Sequence, residues 1–290
     1  MRVLITGASG QVGSALLGST PPQIELRAPS RTELNISDAR AVHAAVTAFQ
    51  PQLIFNAAAY TAVDQAESEP FLADAINAQA PQYLAEAAQS LDGCRLVQLS
   101  TDYVFDGRAA EAHQPGDPPN PLSVYGRTKL AGEQAVLRAL PKRAVVLRTA
   151  WVYAAHGKNF LLTMLRLMRE RGAVRVVADQ TGTPTATFSI ARALWRIAEL
   201  PRVHGILHWT DGGVATWYEF ACAIAEDALA AGLLPQPASV TPIATKDYPT
   251  AAHRPANSVL DTREAVAQLG LTPEHWRRNL RATLTQLSRG

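Results

Sequence analysis

A tyrosine and a lysine four residues apart, Tyr125 and Lys129, are the side chains best suited to proton chemistry in this sequence. On a helix that spacing places both on one face, about one turn apart. A phenol donates a proton readily at neutral pH only if its pKa, ordinarily about 10, is lowered, and a nearby ammonium lowers it by favouring the phenolate. Upstream, an apolar run ends in Ser100 and Thr101, and a threonine hydroxyl can hydrogen-bond a carbonyl oxygen that becomes negative as hydride arrives. The pattern therefore predicts a carbonyl reductase; an amphipathic pair on a surface helix is the alternative.

A glycine-rich turn at the amino terminus has the spacing GxxGxxG, one residue longer than the common dinucleotide-binding GxGxxG. The first glycine would allow the tight turn, the second would let the backbone approach a pyrophosphate, and the third would let helix and strand pack closely. Ordinary turn glycines are the alternative. The predicted cofactor residues of this turn are Gly7, Gly10, Gln11, Val12 and Gly13.

The region where many NAD-binding units carry a ribose-binding acid reads Ala28, Pro29, Ser30, Arg31. A hydroxyl and a guanidinium suit a 2′-phosphate, since arginine offers a fork of donors where a carboxylate would repel. Ser30 and Arg31 therefore favour NADPH and leave NADH as a second donor. A solvated loop position for Arg31 is the alternative.

Small side chains follow the buried run that ends at Asn56. Ala57, Ala58 and Ala59 would leave room for a ligand at the carboxyl end of a parallel strand, where such sheets bind theirs; plain packing is the alternative. Asp64 and Glu67 follow at helical spacing, and we expect them to cap or solvate a helix rather than to contact a ligand.

The elements that would position these residues alternate between short apolar runs and alanine-rich stretches with helical spacing. This alternation predicts βαβ units and hence an α/β fold, a Rossmann-type doubly wound parallel sheet. Tryptophans occur only from Trp151 onward, which predicts an NAD(P)-binding domain over residues 1–150 and a smaller, mainly substrate-binding α/β lobe over 151–290, with some segments returning to the first domain. The predicted strands are Arg2–Ile5, Ile24–Ala28, Leu53–Phe55, Arg95–Leu99, Ala144–Leu147 and Val174–Val177, and the predicted helices are Gln11–Leu17, Asp38–Phe49, Pro70–Ser90 and Leu122–Ala139.

Composition narrows the classes of protein. With 27 basic and 25 acidic residues interspersed, no basic stripe indicates nucleic acid or a membrane surface. Cys94 and Cys222 lie far apart, so neither a disulfide framework nor a thiolate metal site is indicated, and a cytoplasmic location is favoured. His204 and His208 would lie about 13 Å apart in an extended run and could not share one ion.

Seven segments in order resemble the extended short-chain dehydrogenase/reductases, and within them the dTDP-4-dehydrorhamnose reductase family. They are TGASGQVG, NAAAYTAVDQAE, LSTDYVFDG, YGRTKLAGE, RTAWVY, ADQTGTPT and RPANS. The resemblance implies NADPH-dependent reduction of the 4-keto group of dTDP-4-dehydro-β-L-rhamnose to dTDP-L-rhamnose, a precursor of bacterial surface polysaccharide.

The same resemblance implies roles for individual residues. Thr101, Tyr125 and Lys129 would be the catalytic three, Lys129 also holding the nicotinamide ribose, and Asn77 would be a fourth, structural-catalytic residue. The residues implied to face the sugar nucleotide are Tyr103, Val104, Trp151, Arg254 and Asn257, with a core role as the alternative for Trp151. Asp179, Gln180, Thr183, Pro184 and Thr185 would rim the cleft or form an ordinary turn.

Two positions depart from the family pattern. Ala15 stands where relatives often carry an acid implicated in a magnesium-bridged dimer, so a magnesium ion and a homodimer are left open. Asn35 and Ile36 stand where many relatives have Asp and an apolar residue near the adenine, a contact that the amide could retain. Two rival functions are carried forward: a non-catalytic NADP-binding regulatory subunit, and a nucleotide-sugar epimerase that retains its NAD.

Overall fold

The computed structural model describes residues 1–289. The strands are β1 (Arg2–Thr6), β2 (Glu25–Arg27), β3 (Leu53–Asn56), β4 (Arg95–Thr101), β5 (Ala144–Thr149), β6 (Val152–Tyr153), β7 (Ala173–Val177), β8 (Thr181–Gly182), β9 (Thr185–Ala186), β10 (Gly205–His208), β11 (Ala215–Thr216) and β12 (Ser239–Ile243). The helices are α1 (Gln11–Gly18), α2 (Ala39–Phe49), α3 (Val63–Ala66), α4 (Pro70–Asp74), α5 (Ala80–Gln89), α6 (Val124–Ala139), α7 (Phe160–Arg171), α8 (Thr187–Glu199), α9 (Trp217–Ala230), α10 (Arg263–Leu269) and α11 (Trp276–Arg289).

Six strands form one parallel sheet in the order β10-β5-β4-β3-β1-β2. Its central strands are apolar on both faces because helices cover both. In β1, Val3 and Ile5 point into a core shared with α8, while Leu4 points into a core shared with α2, α5 and α6. The predicted doubly wound parallel sheet is confirmed, and its carboxyl edge gathers the ends of β1, β3, β4 and β5.

The predicted strand Val174–Val177 is present as β7, but the expectation that it belongs to the parallel sheet was wrong, because the sixth strand of that sheet is β10. β10 pairs in parallel with β5, whereas β7 pairs in parallel with β12 in a separate two-stranded sheet. Alternate residues of β7 are exposed, Arg175 among them, which is the pattern of a half-buried strand rather than of a central parallel one. Chain beyond residue 150 thus contributes a strand to the first sheet.

The predicted helix Pro70–Ser90 is interrupted. Between α4 and α5 lies a turn of π-helix at Ala75–Gln79, and Asn77 is buried within it. Such turns insert one extra residue and change the direction of the side chains around them. The interruption aims Asn77 toward α6, which carries Tyr125 and Lys129.

A second core lies in the later half of the chain. Apolar residues of α7, α9 and α11 pack there against β7, with Tyr153, Phe220 and Trp276 contributing aromatic rings. This second core and the parallel sheet flank the cleft in which the predicted site residues lie.

Candidate active site

A cavity of about 610 Å³ opens at the carboxyl edge of the parallel sheet. The glycine-rich turn, the ends of β3 and β4, and the first turns of α6 line it. The predicted residues among its lining are Gly7, Gly10, Gln11, Val12, Arg31, Asn35, Ile36, Ala57, Ala58, Ala59, Thr101, Tyr103, Tyr125, Lys129 and Trp151. Residues far apart in sequence therefore meet around one space.

The glycine-rich turn has the close packing that a dinucleotide loop needs. Gly7 has a φ of +73°, and a Cβ there would lie 2.4 Å from the amide nitrogen of Ala58. A Cβ on Gly13 would lie 2.1 Å from the carbonyl oxygen of Gly7. Gly13 thus lets α1 pack against the turn, the packing role predicted for the third glycine, and it does not itself line the cavity.

Ser30 is not among the residues that line the cavity, although its neighbours Pro29 and Arg31 are. Its hydroxyl lies 2.9 Å from the Thr32 hydroxyl, and its backbone N–H donates to the Glu33 carboxylate at 2.7 Å. Arg31 lines the cavity with an exposed side chain. The turn after β2 therefore offers the cavity a guanidinium, while the serine hydroxyl is occupied within the turn.

The predicted catalytic side chains converge on the cavity floor. The Lys129 ammonium is 3% exposed and donates to the Leu99 carbonyl oxygen at 2.6 Å, which ties α6 to β4. The Tyr125 ring packs edge-on against Tyr103, with ring centroids 5.6 Å apart. Thr101 ends β4 and lines the same space. The arrangement brings a phenol, an ammonium and a hydroxyl beside the glycine-rich turn.

Burial is the largest influence on the pKa of the Tyr125 phenol and on that of the Lys129 amine. It raises the pKa of Tyr125 to about 12, opposed only in part by the Thr101 hydroxyl. It lowers the pKa of Lys129 to about 8, an effect that the Glu133 carboxylate opposes. Burial therefore holds the Tyr125 pKa above its ordinary value, and not below it as the spacing with Lys129 predicted. Tyr125 is a neutral phenol and Lys129 is mostly an ammonium at neutral pH.

Three buried polar atoms beside the catalytic groups have no hydrogen-bond partner in residues 1–289. They are the Ser100 hydroxyl, one carboxylate oxygen of Asp102 and the Thr149 hydroxyl, and all three residues line the cavity. The other Asp102 oxygen accepts from the Thr101 hydroxyl at 2.9 Å, and burial raises the pKa of Asp102 to about 6. Unpaired buried polar atoms are costly. The cavity therefore suits a ligand rich in hydrogen-bonding groups, as a dinucleotide and a sugar are.

Asn77 holds the backbone of Tyr60 in place through its side-chain amide. Its amide oxygen accepts from the backbone N–H of Tyr60 at 2.8 Å, and its amide nitrogen donates to the Tyr60 carbonyl and the Thr128 hydroxyl. Asn77 does not line the cavity and acts through the elements it joins. Glu67, predicted to cap or solvate a helix, accepts from the Val124 backbone N–H at 2.8 Å and thereby caps α6.

A second cavity of about 840 Å³ adjoins the first and shares Tyr103 and Trp217 with it. Three arginines, Arg171, Arg175 and Arg254, line this space. Arg254 also makes a paired hydrogen bond with Asp64, with a shorter distance of 2.8 Å. The cationic lining suits a diphosphate.

Two residues predicted to face the sugar nucleotide, Val104 and Asn257, line neither cavity. Val104 is fully buried in a small apolar cluster with Phe105 and Leu260. The Asn257 amide donates to two backbone carbonyls of the loop at 109–111, so it fastens that loop. Of the residues expected to rim the cleft, Gln180 lines the second cavity, whereas Asp179 accepts hydrogen bonds from Thr245.

Trp151 has a backbone φ of +46°, a left-handed conformation that is unusual for a residue other than glycine. Its ring stacks on Trp217 with centroids 3.5 Å apart and planes 6° from parallel. Strained backbone of this sort is concentrated at functional sites. Sequence reasoning missed Trp217, whose only signal is its place directly after the helix-capping Thr216, and it also missed Lys158, which lines the first cavity.

Within residues 1–289, no group of three or more histidine, cysteine or acidic side chains is arranged to hold a metal ion. No helix in that part of the chain has the length and apolar character needed to span a bilayer.

Comparison with known proteins agrees with this geometry. A family model described as the RmlD substrate binding domain matches residues 1–289. Over 287 residues the chain is 42% identical to the dTDP-4-dehydrorhamnose reductase of Aggregatibacter actinomycetemcomitans, with 97% of each protein covered. The dTDP-4-dehydrorhamnose reductase structure from Clostridium acetobutylicum gives a TM-score of 0.92 at 37% identity, covering 99% of each chain. The Bacillus anthracis enzyme of the same name, solved in complex with NADP, gives 0.92 at 34% identity, covering 98% of this chain and 99% of that one.

Proposed function

The chain belongs to the RmlD substrate binding domain family, and from that membership and the geometry of its two cavities we propose that it is an NADPH-dependent reductase of a nucleotide sugar. Its substrate is dTDP-4-dehydro-β-L-rhamnose and its product is dTDP-L-rhamnose. One observation carries the proposal: Thr101, Tyr125 and Lys129 line the same cavity as the glycine-rich turn.

The two cavities divide the ligands between them. The first, with its glycine-rich turn, Arg31 and the three alanines after β3, suits the dinucleotide, and a relative solved with NADP supports that choice of cofactor. The second, with three arginines, suits the diphosphate of the sugar nucleotide. Tyr103 and Trp217 border both, so the sugar ring would lie between them, beside Tyr125.

The reduction needs a proton on the ketone oxygen. The hydride for C4 would come from a reduced nicotinamide held in the first cavity. Tyr125 holds the proton that the oxygen receives, since its raised pKa keeps the phenol protonated until that oxygen becomes strongly basic. Lys129, fixed by the Leu99 carbonyl, provides the positive field that stabilises the phenolate left behind. The free thiols Cys94 and Cys222 accord with a reaction in the reducing cytoplasm.

The test is consumption of NADPH by the purified protein with dTDP-4-dehydro-β-L-rhamnose. We expect oxidation of NADPH only when the keto sugar is present, with one NADPH used for each sugar reduced. Tyr125→Phe should lower turnover by roughly 10²- to 10⁴-fold with little change in the Kd for NADPH. Turnover of the sugar without net loss of cofactor would indicate an epimerase, and cofactor binding without any turnover would indicate a regulatory subunit; either result contradicts the proposal.

A further inference from the structure

Residues 154–159, which we call the clasp, cross from the second core to the first turn of α1. The Gln11 side-chain nitrogen donates to the Lys158 carbonyl at 3.3 Å, and its oxygen accepts from the Asn159 side chain at 2.7 Å. Gly157 has a φ of +80°, and a Cβ there would lie 3.0 Å from the Gln11 side chain. Both ends of the Gln11 amide are therefore used to hold the clasp over the glycine-rich turn.

Asn159 gives the clasp a fixed shape. Its amide nitrogen donates to the carbonyls of Ala154 and His156 as well as to Gln11, while its oxygen caps the first turn of α7. The backbone of Lys158 is thus held between two helix amino termini, and Lys158 is an exposed residue that lines the first cavity.

The charges lining the first cavity are few. Within residues 1–289 they are Arg31, Asp102, Lys129 and Lys158. Asp102 and Lys129 are buried at the catalytic end, and the Lys129 ammonium is hydrogen-bonded to Leu99. Arg31 and Lys158 have exposed side chains, and neither forms an ion pair in that part of the chain. Two accessible cations therefore stand in a cavity suited to a ligand with two separate phosphate groups.

We propose that Lys158, held by the clasp over the first turn of α1, binds the pyrophosphate of the dinucleotide, and that Arg31 alone binds the 2′-phosphate. This inference rests on the proposed function. The amino terminus of α1 already favours an anion, and the clasp holds the Lys158 backbone against Gln11 in the first turn of that helix. Lys158 does not line the second cavity, where Arg171, Arg175 and Arg254 stand, so its partner is the cofactor and not the sugar diphosphate.

The two cations can be separated with two dinucleotides, since NADPH and NADH share the pyrophosphate and only NADPH carries the 2′-phosphate. Binding is followed by quenching of Trp151 and Trp217, which line the cavity, so no turnover is needed. We expect Lys158→Met to raise the Kd for both dinucleotides by about tenfold, the loss of one charge-assisted contact. Lys158→Arg should restore most of the affinity. Arg31→Met should raise the Kd for NADPH and leave that for NADH unchanged.

Lys142→Met is the matched control, because Lys142 is an exposed lysine that lines neither cavity. It should leave both Kd values unchanged. An unaltered Kd in Lys158→Met overturns the inference, and so does a loss confined to NADPH, which would assign Lys158 to the 2′-phosphate. Weaker binding of dTDP in Lys158→Met, with dinucleotide affinity retained, would likewise overturn it. Failure of the proposed function is seen separately, as dinucleotide binding by the unaltered protein without reduction of the keto sugar.

Discussion

The Thr101 hydroxyl has one hydrogen to donate, and both Asp102 and the ketone oxygen of a substrate could accept it. In the structure it is donated to Asp102, and the hydroxyl oxygen accepts from the Tyr103 backbone N–H at 3.2 Å. A hydroxyl offers one donor. Thr101 can therefore donate to a ketone oxygen only if that oxygen displaces Asp102 as the acceptor. The strongly basic oxygen that forms as hydride arrives is better placed to do so than the ground-state ketone, which is the selectivity that catalysis requires.

The buried Asp102 carboxylate destabilises the folded protein when no ligand is bound. One of its oxygens is buried without a partner, and burial raises its pKa to about 6 from an ordinary value near 3.8. Between these pH values Asp102 binds more protons in the folded protein than in the unfolded chain. The free energy of unfolding therefore decreases as pH rises through this window, and the destabilisation by Asp102 is complete above about pH 6. Within residues 1–289, Asp102 forms no ion pair, and only one of its carboxylate oxygens accepts a hydrogen bond from a side chain.

Asp102→Asn should therefore stabilise the ligand-free protein. The amide keeps an acceptor for Thr101 and removes the buried charge, so we expect the free energy of unfolding in urea to rise by about 2 kcal/mol near pH 8. The gain should be smaller near pH 5, where the carboxyl is already protonated. Asp92→Asn, at an exposed position, is the control and should change stability little at either pH. Equal gains at both pH values would show that the buried charge is not the cause.

At the scale of single residues, the sequence indicated which residues line the cavity where they follow a local spacing pattern. Gly7, Gly10, the three alanines, Tyr125 and Lys129 line the cavity as expected, whereas Gly13 does not. Ser30 does not either, because its backbone N–H and hydroxyl are engaged within its own turn, by Glu33 and Thr32. Val104 and Asn257 do not, because each is engaged by distant parts of the chain: an apolar cluster that includes Leu260, and a loop some 150 residues away. Lys158 was missed for the same reason, since only the fold brings it to α1.

Among the elements, α6 does most to position the site, and three contacts hold its amino-terminal half. Ser123 caps it, Glu67 accepts from its first backbone N–H, and Lys129 ties it to β4. Its far side packs on the π-helical turn, where a Cβ on Gly132 would lie 2.2 Å from the Asn77 carbonyl oxygen. The helix can approach that turn only because position 132 has no side chain.

Gly132→Ala should push α6 away from the π-helical turn. We expect a loss of about 1–3 kcal/mol of unfolding free energy from overpacking, and a fall in turnover because Tyr125 and Lys129 move with the helix. Gly18→Ala is the matched control: Gly18 is also helical and no atom lies within 4 Å of its added Cβ. That substitution should be neutral or stabilise the protein by up to about 1 kcal/mol. Similar losses in both variants would assign the effect to helix propensity instead of packing.

The elements themselves were largely predictable, with two informative exceptions. Helical spacing located α1, α2 and α6 to within two residues, but it could not show the π-helical turn, because an insertion of one residue leaves the alanine-rich pattern almost unchanged. Apolar runs located five of the six strands of the sheet. The sixth, β10, is short and pairs with β5 through contacts between residues some 60 positions apart, which no local pattern encodes.

Across the whole molecule, chain from beyond residue 150 completes the first domain. α8 covers one face of the parallel sheet, where Ile190, Leu194 and Ile197 join the core that contains Val97 and Leu147. Arg95 strengthens the junction by donating to the carbonyls of Ile197, Leu200 and Val203. The first cavity also depends on residues beyond 150, because its lining includes Trp151, Val152, Lys158 and Trp217.

We accordingly propose that residues 1–150 are not an independent folding unit. Expressed alone, they would leave Val97, Leu99, Val145 and Leu147 without the cover of α8, and each fully buried apolar side chain is worth about 1.5–3 kcal/mol. That exceeds what a marginally stable domain can lose. We expect this fragment to bind a hydrophobic dye and to unfold without a cooperative transition in urea, as followed by far-UV circular dichroism.

A second polypeptide tests whether the missing cover is the cause. Joining residues 1–150 to residues 187–208 through a flexible linker restores both α8 and β10, the strand that pairs with β5. We expect this polypeptide to bind less dye and to regain part of the cooperative transition, whereas a linker carrying a scrambled 187–208 segment should not. A cooperative transition in residues 1–150 alone would show that the sheet is stable without α8, and the division of the molecule would then lie at residue 150 after all.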